Sequence, residues 1–173
     1  MFAEADLIHS AAEVTQAIDR LAAEITARLA NAHPLALTVM TGGIIFAGQL
    51  LPRLPFPLEH DYLHLTRYGA ATSGGELHWL AEPRTPVAGR TVLVLDDILD
   101  EGITLAAIKT RLLAQGASEC LIAVLSEKDL PHPKPVQPDF VGLRLPNRYV
   151  FGCGMDVSGA WRNLPAIYAV KGA

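Results

Sequence analysis

The sequence predicts a single α/β domain in which a mostly parallel, twisted sheet is flanked by helices. The strand Thr91–Leu95, a helix from about Thr104 to Gln115 and the strand Glu119–Leu125 follow one another at the spacing of a βαβ unit, which requires parallel strands. A second strand, Leu35–Met40, runs directly into a helical pattern from Ile44 to Leu51. The chain has 173 residues, half of them apolar, which suits one domain with a sizeable core.

Periodicity predicts the other elements. Apolar residues recur at helical spacing from Ala11 to Ala30, so this stretch should form an amphipathic helix. The segments Glu59–Arg67 and Glu76–Leu80 should be the strands of a long hairpin. Small residues dominate the stretch from Tyr68 to Gly75, which we expect to be a mobile loop. A further strand is expected near Phe140–Leu143, within a C-terminal part rich in Pro and Gly.

Composition and charge argue against several classes of protein. The formal net charge is −4 and no Lys/Arg run stands out, so a large nucleic-acid footprint is not expected. Cys120 and Cys153 have no Cys or His at zinc-ligand spacing and should be buried thiols in a reducing cytosol. The sequence shows no signal peptide and no apolar run that could span a bilayer. We therefore expect a cytoplasmic protein that binds neither nucleic acid nor membrane.

The segment from Val92 to Leu105 carries the strongest functional signal. Its strand should end in two adjacent carboxylates, Asp96 and Asp97, at the carboxyl edge of the sheet, where ligands bind in open α/β folds. Neighbouring anions repel one another, and burial makes the repulsion worse. They therefore need cations or hydroxyl donors nearby, which a sugar diol or a hydrated magnesium ion would supply.

The loop after the aspartate pair enters a helix through Gly102 and Thr104. A helix start offers free N–H groups and the positive end of the dipole, and both suit a phosphate. One loop can thus hold a sugar and its phosphate. The alternative is that Asp96, Asp97 and Asp100 are turn and capping residues, as aspartates often are. Three of them before a Gly-x-Thr helix start favour a binding site.

This segment resembles the phosphoribosyl pyrophosphate signature of type I phosphoribosyltransferases: a hydrophobic strand, two acidic residues, two hydrophobic residues, then Asp-x-Gly-x-Thr. The resemblance implies the type I phosphoribosyltransferase fold, with Asp96 and Asp97 facing the ribose hydroxyls. It also implies that Asp100 is the catalytic acid or base near N7 of a purine. The residues implied to bind the 5-phosphate are Asp100, Glu101, Gly102, Ile103 and Thr104.

Two positions of this loop depart from the family. Glu101 stands where the family often has Thr, and Ile103 stands where a basic residue is common. Because Glu101 would add negative charge beside a phosphate, we expect its side chain to point away. Phosphate binding would then depend on backbone N–H groups.

Met40-Thr41-Gly42-Gly43 resembles the pyrophosphate loop of the purine enzymes, which commonly reads Leu-Lys-Gly-Gly. By that resemblance Thr41 and Gly42 bind pyrophosphate, with backbone contacts replacing the usual Lys. The family often has a cis peptide bond here, and the matching bond is Met40–Thr41. The hairpin strand ending at Arg67 resembles the one that leads into the family's lid, where Arg67 would bind pyrophosphate. An ordinary long hairpin is the alternative.

The C-terminal motifs resemble hypoxanthine-guanine phosphoribosyltransferases in particular. Asp-Phe-Val-Gly at 139–142, Tyr-Val-Phe-Gly-Cys-Gly-Met-Asp at 149–156 and Arg-Asn-Leu-Pro at 162–165 follow in the family's order. The similarity implies one domain, 1–173. A C-terminal purine-binding hood segment of about 131–173 would lie over a core of about 11–130.

The resemblance also implies how the base is bound. Lys128 would donate to the purine 6-oxygen, which suits a 6-oxopurine and not the amino group of adenine. Tyr149 would stack on the base, and the backbone of Val150 would contact its edge. A solvated surface lysine and a core aromatic are the alternatives for Lys128 and Tyr149.

The same resemblance implies a metal and a pyrophosphate contact. Asp156 would bind a magnesium ion shared with pyrophosphate, and Arg162 would contact pyrophosphate. Asp96 and Asp97 are further candidates for the Mg2+ site.

These features imply a purine salvage enzyme that transfers the 5-phosphoribosyl group from phosphoribosyl pyrophosphate to hypoxanthine or guanine, giving IMP or GMP and pyrophosphate. A homodimer or homotetramer is implied as the assembly. One alternative is a non-catalytic regulator that keeps the phosphoribosyl pyrophosphate site and binds nucleic acid. Another is a phosphorylated receiver domain, which also has paired aspartates at a strand end but does not explain the Gly-x-Thr loop.

Overall fold

The computed structural model describes residues 4–68 and 76–172, and it describes only the backbone of residues 67, 68 and 76. The strands are β1 (Asp6–His9), β2 (Leu35–Met40), β3 (Glu59–Tyr68), β4 (Glu76–Ala81), β5 (Thr91–Leu99), β6 (Glu119–Lys128), β7 (Phe140–Leu145), β8 (Val150–Phe151) and β9 (Ile167–Ala169). The α-helices are α1 (Ala11–Leu29), α2 (Gly43–Leu50) and α3 (Ile103–Ala114), and a 3₁₀ turn follows α2 at Leu51–Arg53.

The central sheet has six strands in the order β4-β3-β2-β5-β6-β7. The pairs β2–β3, β2–β5, β5–β6 and β6–β7 are parallel, and β4 returns antiparallel to β3. This arrangement confirms the predicted α/β fold and the predicted hairpin. The expected mobile loop, residues 68–75, lies outside the described residues apart from the backbone of residue 68.

Helices cover both faces of this sheet, which explains why its inner strands are apolar. In β5, Leu93 and Leu95 pack with α1 and α2 on one face, whereas Val92 and Val94 pack with α3 on the other. A strand buried on both faces has no polar side to alternate with. The aspartate pair that interrupts this apolar run is therefore unexpected in a packing role, and its buried charge requires a binding partner.

The prediction that β5 ends at its aspartate pair is wrong. The strand continues to Leu99, since Ile98 pairs with Ser126 and Leu99 pairs with Glu127 on β6. The longer β6 supplies these partners, and sequence reasoning had ended that strand at Leu125. Asp100 is consequently the first residue after the strand, and the loop before α3 is short.

A second, three-stranded antiparallel sheet has the order β1-β9-β8. It joins the N-terminal strand, which the sequence did not predict, to the C-terminal part of the chain. Phe151 on β8 stacks on Tyr168 on β9, with ring centroids 5.6 Å apart. This sheet holds the segment between β8 and β9 above the carboxyl ends of β5 and β6.

Within the described part of the chain, no helix combines the length and the apolar character needed to cross a bilayer. Cys120 and Cys153 are free and buried, as expected. Burial raises the pKa of each thiol to about 11.

Candidate active site

Two cavities share a wall at the carboxyl end of β5. The first, of about 300 Å³, is lined by residues 96–105. The second, of about 280 Å³, is lined by residues of β5, β6 and the C-terminal part of the chain: Asp97, Ile98, Asp100, Lys128, Tyr149, Val150, Met155, Asp156 and Arg162. The strand end that carries the aspartates therefore opens on two connected spaces.

The first cavity is built by the turn into α3. Gly102 caps this helix in the left-handed conformation, with φ of 80°, which only glycine adopts without cost. Among the side chains that the structure describes, none hydrogen-bonds to this cap, so the first backbone N–H groups of the twelve-residue α3 lack a capping side chain there. Thr104 adds a hydroxyl to the same wall. The cavity thus has the chemistry of an anion site.

The aspartate pair is buried beside this turn, with Asp96 at 9% and Asp97 at 7% exposure. Burial raises the pKa of Asp96 well above its ordinary value, and the neighbouring charge of Asp97 adds to that rise. Burial also raises the pKa of Asp97, while the Arg162 cation acts in the opposite direction on both carboxyls. The ligand-free site therefore holds an incompletely compensated acidic pair that hydroxyl donors or cations would stabilise.

Asp97 is enclosed by two glycines from distant parts of the sequence. A Cβ at Gly42 would overlap the Asp97 carboxylate. Gly154, at φ of 109°, lies on the other side, where a Cβ would come within 2.9 Å of the Asp97 Cβ and overlap the carbonyl oxygen of Gly42. The hydroxyl of Ser126 donates to the backbone carbonyl of Asp97 at 2.9 Å. The predicted pyrophosphate loop and the C-terminal segment therefore meet at this carboxylate.

Lys128 and Asp100 form an ion pair at the boundary between the cavities. Lys128 Nζ donates to Asp100 Oδ2 at 2.6 Å, and the lysine side chain is largely buried. Asp100 keeps a substantial exposed surface and lines both cavities. A cation and a carboxylate thus stand side by side where a ligand in the second cavity would contact both.

The C-terminal segment supplies the opposite wall of the second cavity. Tyr149 is 51% exposed, as suits a ring that could stack on a flat ligand, and Val150 is buried at the start of β8. Arg162 Nη2 lies 2.5 Å from Asp156 Oδ1, and Arg162 also donates to the Gly154 carbonyl at 2.5 Å. The backbone N–H of Gly159 donates to Asp156 Oδ2 at 2.7 Å. These contacts fix the Asp156 carboxylate at the cavity wall.

The predicted pyrophosphate loop has the cis peptide bond that the resemblance implies, between Met40 and Thr41. Thr41 is exposed, and its carbonyl accepts from Ile44 N–H at 3.3 Å. The backbone of Arg67 pairs with Leu77 in the hairpin, but its side chain lies outside the described part of the structure. The pyrophosphate role of Arg67 therefore stays a prediction.

Glu101 lines the first cavity, but its carboxylate lies 3.5 Å from Nε2 of His132. Both side chains are about half exposed. The acid thus interacts with the segment after β6. That contact suits the expectation that its charge points away from a phosphate on the α3 amides.

The donor set fits a magnesium ion that arrives with a phosphorylated ligand. Among residues 4–68 and 76–172, no three His, Cys, Asp or Glu side chains are grouped so as to hold a metal ion by themselves. Mg2+ prefers hard oxygen ligands, and it commonly takes one or two carboxylates together with substrate phosphates. Asp156 offers such a carboxylate at the wall of the second cavity.

Sequence reasoning missed several residues that shape the site. Gly154 and Met155 lie within a motif that it quoted, and the Gly-Cys-Gly run was a usable signal for tight backbone. Lys134 was also missed, because no motif surrounds it in the sequence. Its ammonium hydrogen-bonds to the carbonyls of Leu99 and Lys128, next to the loop that carries Asp100.

The fold and these cavities define a phosphoribosyltransferase domain, and a family model with the description "Phosphoribosyl transferase domain" matches residues 4–158. The hypoxanthine-guanine phosphoribosyltransferase of Bacillus subtilis is 32% identical over 162 residues, or 93% of this chain and 90% of that relative. The hypoxanthine-guanine-xanthine phosphoribosyltransferase of Tritrichomonas foetus is 32% identical over 166 residues, or 95% and 91%. The chain belongs to the hypoxanthine-guanine phosphoribosyltransferase family.

A solved structure of a hypoxanthine-guanine-xanthine phosphoribosyltransferase superposes with a TM-score of 0.83 at 30% identity, covering 96% of this chain and 94% of the other. The predicted type I phosphoribosyltransferase fold is therefore confirmed. The relatives described above are named as transferases, and none of their names supports the regulator or the receiver alternative.

Proposed function

We propose that the protein transfers the 5-phosphoribosyl group from phosphoribosyl pyrophosphate to hypoxanthine or guanine, as a purine salvage enzyme. One observation carries the proposal. A cavity with the chemistry of a phosphate site and a cavity with a lysine and an exposed aromatic ring share one wall, and Asp100 stands on it. A sugar that carries a phosphate on one side and a purine on the other would place one group in each cavity.

The ribose phosphate would occupy the first cavity. The α3 amides and the Thr104 hydroxyl would donate to the 5-phosphate, and Gly102 would let the backbone approach it closely. Asp96 and Asp97 would accept hydrogen bonds from the ribose hydroxyls. Because both carboxyls have raised pKa values in the ligand-free protein, such donors would relieve an existing cost.

The purine would occupy the second cavity. Lys128 would donate to the 6-oxygen, Tyr149 would stack on the ring, and the Val150 backbone would contact the base edge. The 6-amino group of adenine is a donor and cannot accept a hydrogen bond from the Lys128 ammonium, so a 6-amino purine would be rejected. The hydrogen bond from Lys128 to Asp100 keeps the ammonium oriented until the base arrives.

Asp100 would handle the proton at N7 while N9 forms its bond to C1 of the ribose and the bond from C1 to pyrophosphate breaks. A carboxylate of intermediate exposure beside a lysine can accept and return a proton without leaving the site. Positioning of the two substrates and stabilisation of charge would supply the remaining catalysis.

The Thr41–Gly42 turn and Arg162 both lie near Asp97. Pyrophosphate would bind between that turn and the Arg162 guanidinium. Asp156 would share a magnesium ion with it, with Asp96 and Asp97 near enough in the fold to contribute to the charge balance. When bound, Mg2+ neutralises charge on the pyrophosphate leaving group. A homodimer or homotetramer is the assembly expected from the family, and light scattering coupled to size exclusion would measure it.

The proposal is tested with a base panel. Phosphoribosyl pyrophosphate and Mg2+ are supplied with hypoxanthine, guanine, xanthine or adenine, and both nucleotide formation and pyrophosphate release are followed. Nucleotides should form from hypoxanthine or guanine and not from adenine. If every base gives no nucleotide while phosphoribosyl pyrophosphate still binds, the regulator alternative replaces this proposal.

A further inference from the structure

Lys134 has a buried side chain and lies outside every role described so far. Its side chain is 6% exposed, and its ammonium has three donors, the full number that a lysine offers. It lies 2.5 Å from the carbonyl of Lys128, 3.1 Å from Oε1 of Glu127 and 3.3 Å from the carbonyl of Leu99. Each donor therefore has an acceptor, and no donor remains for a substrate.

The two carbonyl acceptors belong to the terminal residues of the two strands that carry the site. Leu99 is the last residue of β5 and precedes Asp100, whereas Lys128 is the last residue of β6. The last pair of the β5–β6 ladder is Leu99 with Glu127. Beyond that pair, ladder hydrogen bonds no longer fix the distance between the two chain segments. The Lys134 ammonium joins the two ends at that point.

The acid in this cluster is held from both sides. Glu127 is 7% exposed; its Oε1 contacts Lys134, and its Oε2 lies 2.7 Å from Nη1 of Arg144 on β7. A buried charge pair of this kind is stable only while both partners and their hydrogen bonds are present. The cluster therefore sets one geometry for the ends of three neighbouring strands.

Side chains of the segment that contains Lys134 also lie next to the Gly102 turn. A Cβ placed on Gly102 would lie 3.4–3.5 Å from side-chain atoms of Lys134, Pro135 and Val136. This segment thus forms the floor beneath the left-handed residue that begins α3. Movement of Lys134 would be transmitted both to that turn and to the strand ends.

We infer that Lys134 is a positioning residue of this enzyme: its ammonium holds the ends of β5 and β6 so that Asp100, Lys128 and the Gly102 turn keep their mutual geometry. It acts through these groups and does not touch substrate. The inference rests on the proposed function and deepens it.

The test compares Lys134→Met with the full-length wild type in steady-state kinetics with hypoxanthine, phosphoribosyl pyrophosphate and Mg2+. Misplacement of catalytic groups by a fraction of an ångström is costly, so kcat/KM for phosphoribosyl pyrophosphate should fall about tenfold to a hundredfold. Lys134→Arg, which keeps the charge, should recover part of the loss. Lys171→Met, at an exposed lysine that lines neither cavity, is the matched control and should behave as wild type.

A double-mutant cycle separates positioning from general destabilisation. Because Asp100 is one of the groups that Lys134 is inferred to position, the loss of kcat in the double variant with Asp100→Asn should be smaller than the product of the two single losses. A purely structural lysine would instead give multiplicative losses. Kinetics are measured at temperatures where circular dichroism shows each variant to be fully folded; should Lys134→Met not fold, Lys134→Gln takes its place under the same criteria.

Two results distinguish the failures. A wild-type protein that makes no nucleotide from any base removes the proposed function. An active wild type with a folded Lys134 variant of unchanged kcat and KM, or with multiplicative losses in the cycle, overturns the positioning role alone.

Discussion

Lys128 Nζ donates to Asp100 Oδ2 at 2.6 Å, so the group proposed to recognise the base and the group proposed to move its proton form one hydrogen-bonded pair before any substrate binds. The 6-oxygen and N7 lie on the same edge of a purine. A donor beside a carboxylate matches that edge, with the donor opposite the 6-oxygen and the carboxylate opposite N7. The pair therefore has the arrangement that the proposed 6-oxopurine site requires, and substitution of either residue tests the proposal.

Asp100→Asn should lower kcat by about a hundredfold to ten-thousandfold, the usual contribution of general acid–base catalysis. Binding of phosphoribosyl pyrophosphate, measured by calorimetry without a base, should stay close to wild type because the phosphate turn depends on backbone groups. Asp19→Asn removes a remote exposed carboxylate that pairs with Arg53, and it is the control for loss of a charge. Unchanged turnover in Asp100→Asn would exclude the catalytic role.

Lys128→Gln should raise KM for hypoxanthine and guanine strongly and KM for phosphoribosyl pyrophosphate much less. A hydrogen bond from a charged donor contributes about 1.5–3 kcal/mol, which corresponds to roughly tenfold to a hundredfold in kcat/KM. The amide also offers an acceptor, so discrimination against adenine should weaken. The base panel measures both effects, with Lys171→Gln as the control; an unaltered preference among bases would contradict the assignment.

Gly42→Ala should reduce both stability and activity because the added methyl group would overlap the Asp97 carboxylate. Overpacking of this kind costs about 1–3 kcal/mol. Gly48→Ala is a matched control in the neighbouring helix α2, where a Cβ meets nothing within 4 Å. That control should gain about 0.5–1 kcal/mol from the better helix propensity of Ala. The calorimetric Tm values of the two variants should thus move in opposite directions, and only Gly42→Ala should lose kcat.

The aspartate pair predicts how stability depends on pH without substrate. Burial raises the pKa of Asp96 and of Asp97 above the ordinary value of 3.8, so in the window above 3.8 the folded protein binds more protons than the unfolded chain. The free energy of unfolding should therefore fall as pH rises through that window toward the raised pKa values. Asp96→Asn removes this penalty, so its advantage over wild type in urea unfolding should grow with pH.

Asp61 provides a control of the opposite sign. Burial acts to raise the pKa of Asp61, but hydrogen bonds from the backbone N–H groups of Thr85, Tyr62 and Arg84 lower it overall, below 3.8. Its stabilisation is present above 3.8 and is lost as the pH falls through the lowered pKa. Asp61→Asn should therefore be less stable than wild type at neutral pH and approach it in acid. A shared sign for Asp96 and Asp61 would refute the interpretation.

Ile103→Lys should lower KM for phosphoribosyl pyrophosphate. Ile103 is 44% exposed at the wall of the first cavity, and a cation there would attract the phosphate that backbone groups alone are proposed to bind. Leu113→Lys is the matched control, since Leu113 is also 44% exposed on α3 but lies outside both cavities. The gain should shrink as ionic strength rises. An equal effect of the two lysines would point to long-range charge and not to the site.

The sequence was sufficient for the features that are local. The βαβ unit, the amphipathic α1 and the hairpin follow from periodicity, and the residues of the Val92–Leu105 segment predict a binding site without knowledge of its shape. The cis bond at Met40–Thr41 could be expected only from the family resemblance, because no local propensity predicts such a bond. The catalytic roles themselves stay predictions that the variants above would test.

The sequence was insufficient wherever a partner comes from far along the chain. β1 has no clear pattern of its own and becomes a strand only because β9 pairs with it. The extension of β5 to Leu99 depends on β6, whose end is fixed by neighbours that no local window contains. Lys134 reads as one more lysine in a Pro-rich stretch, and only the folded arrangement of strand ends reveals its three acceptors.

The pairing of β1 with β9 has a consequence for how the protein is made. β1 cannot pair until β9, almost a whole domain later in the sequence, has been synthesised, and closing so long a loop is entropically unfavourable until the central sheet has brought the two strands together. The three-stranded sheet, whose Val150 lines the second cavity, should therefore form last. During synthesis, the Gly102 turn should thus be able to fold before the second cavity has its full lining.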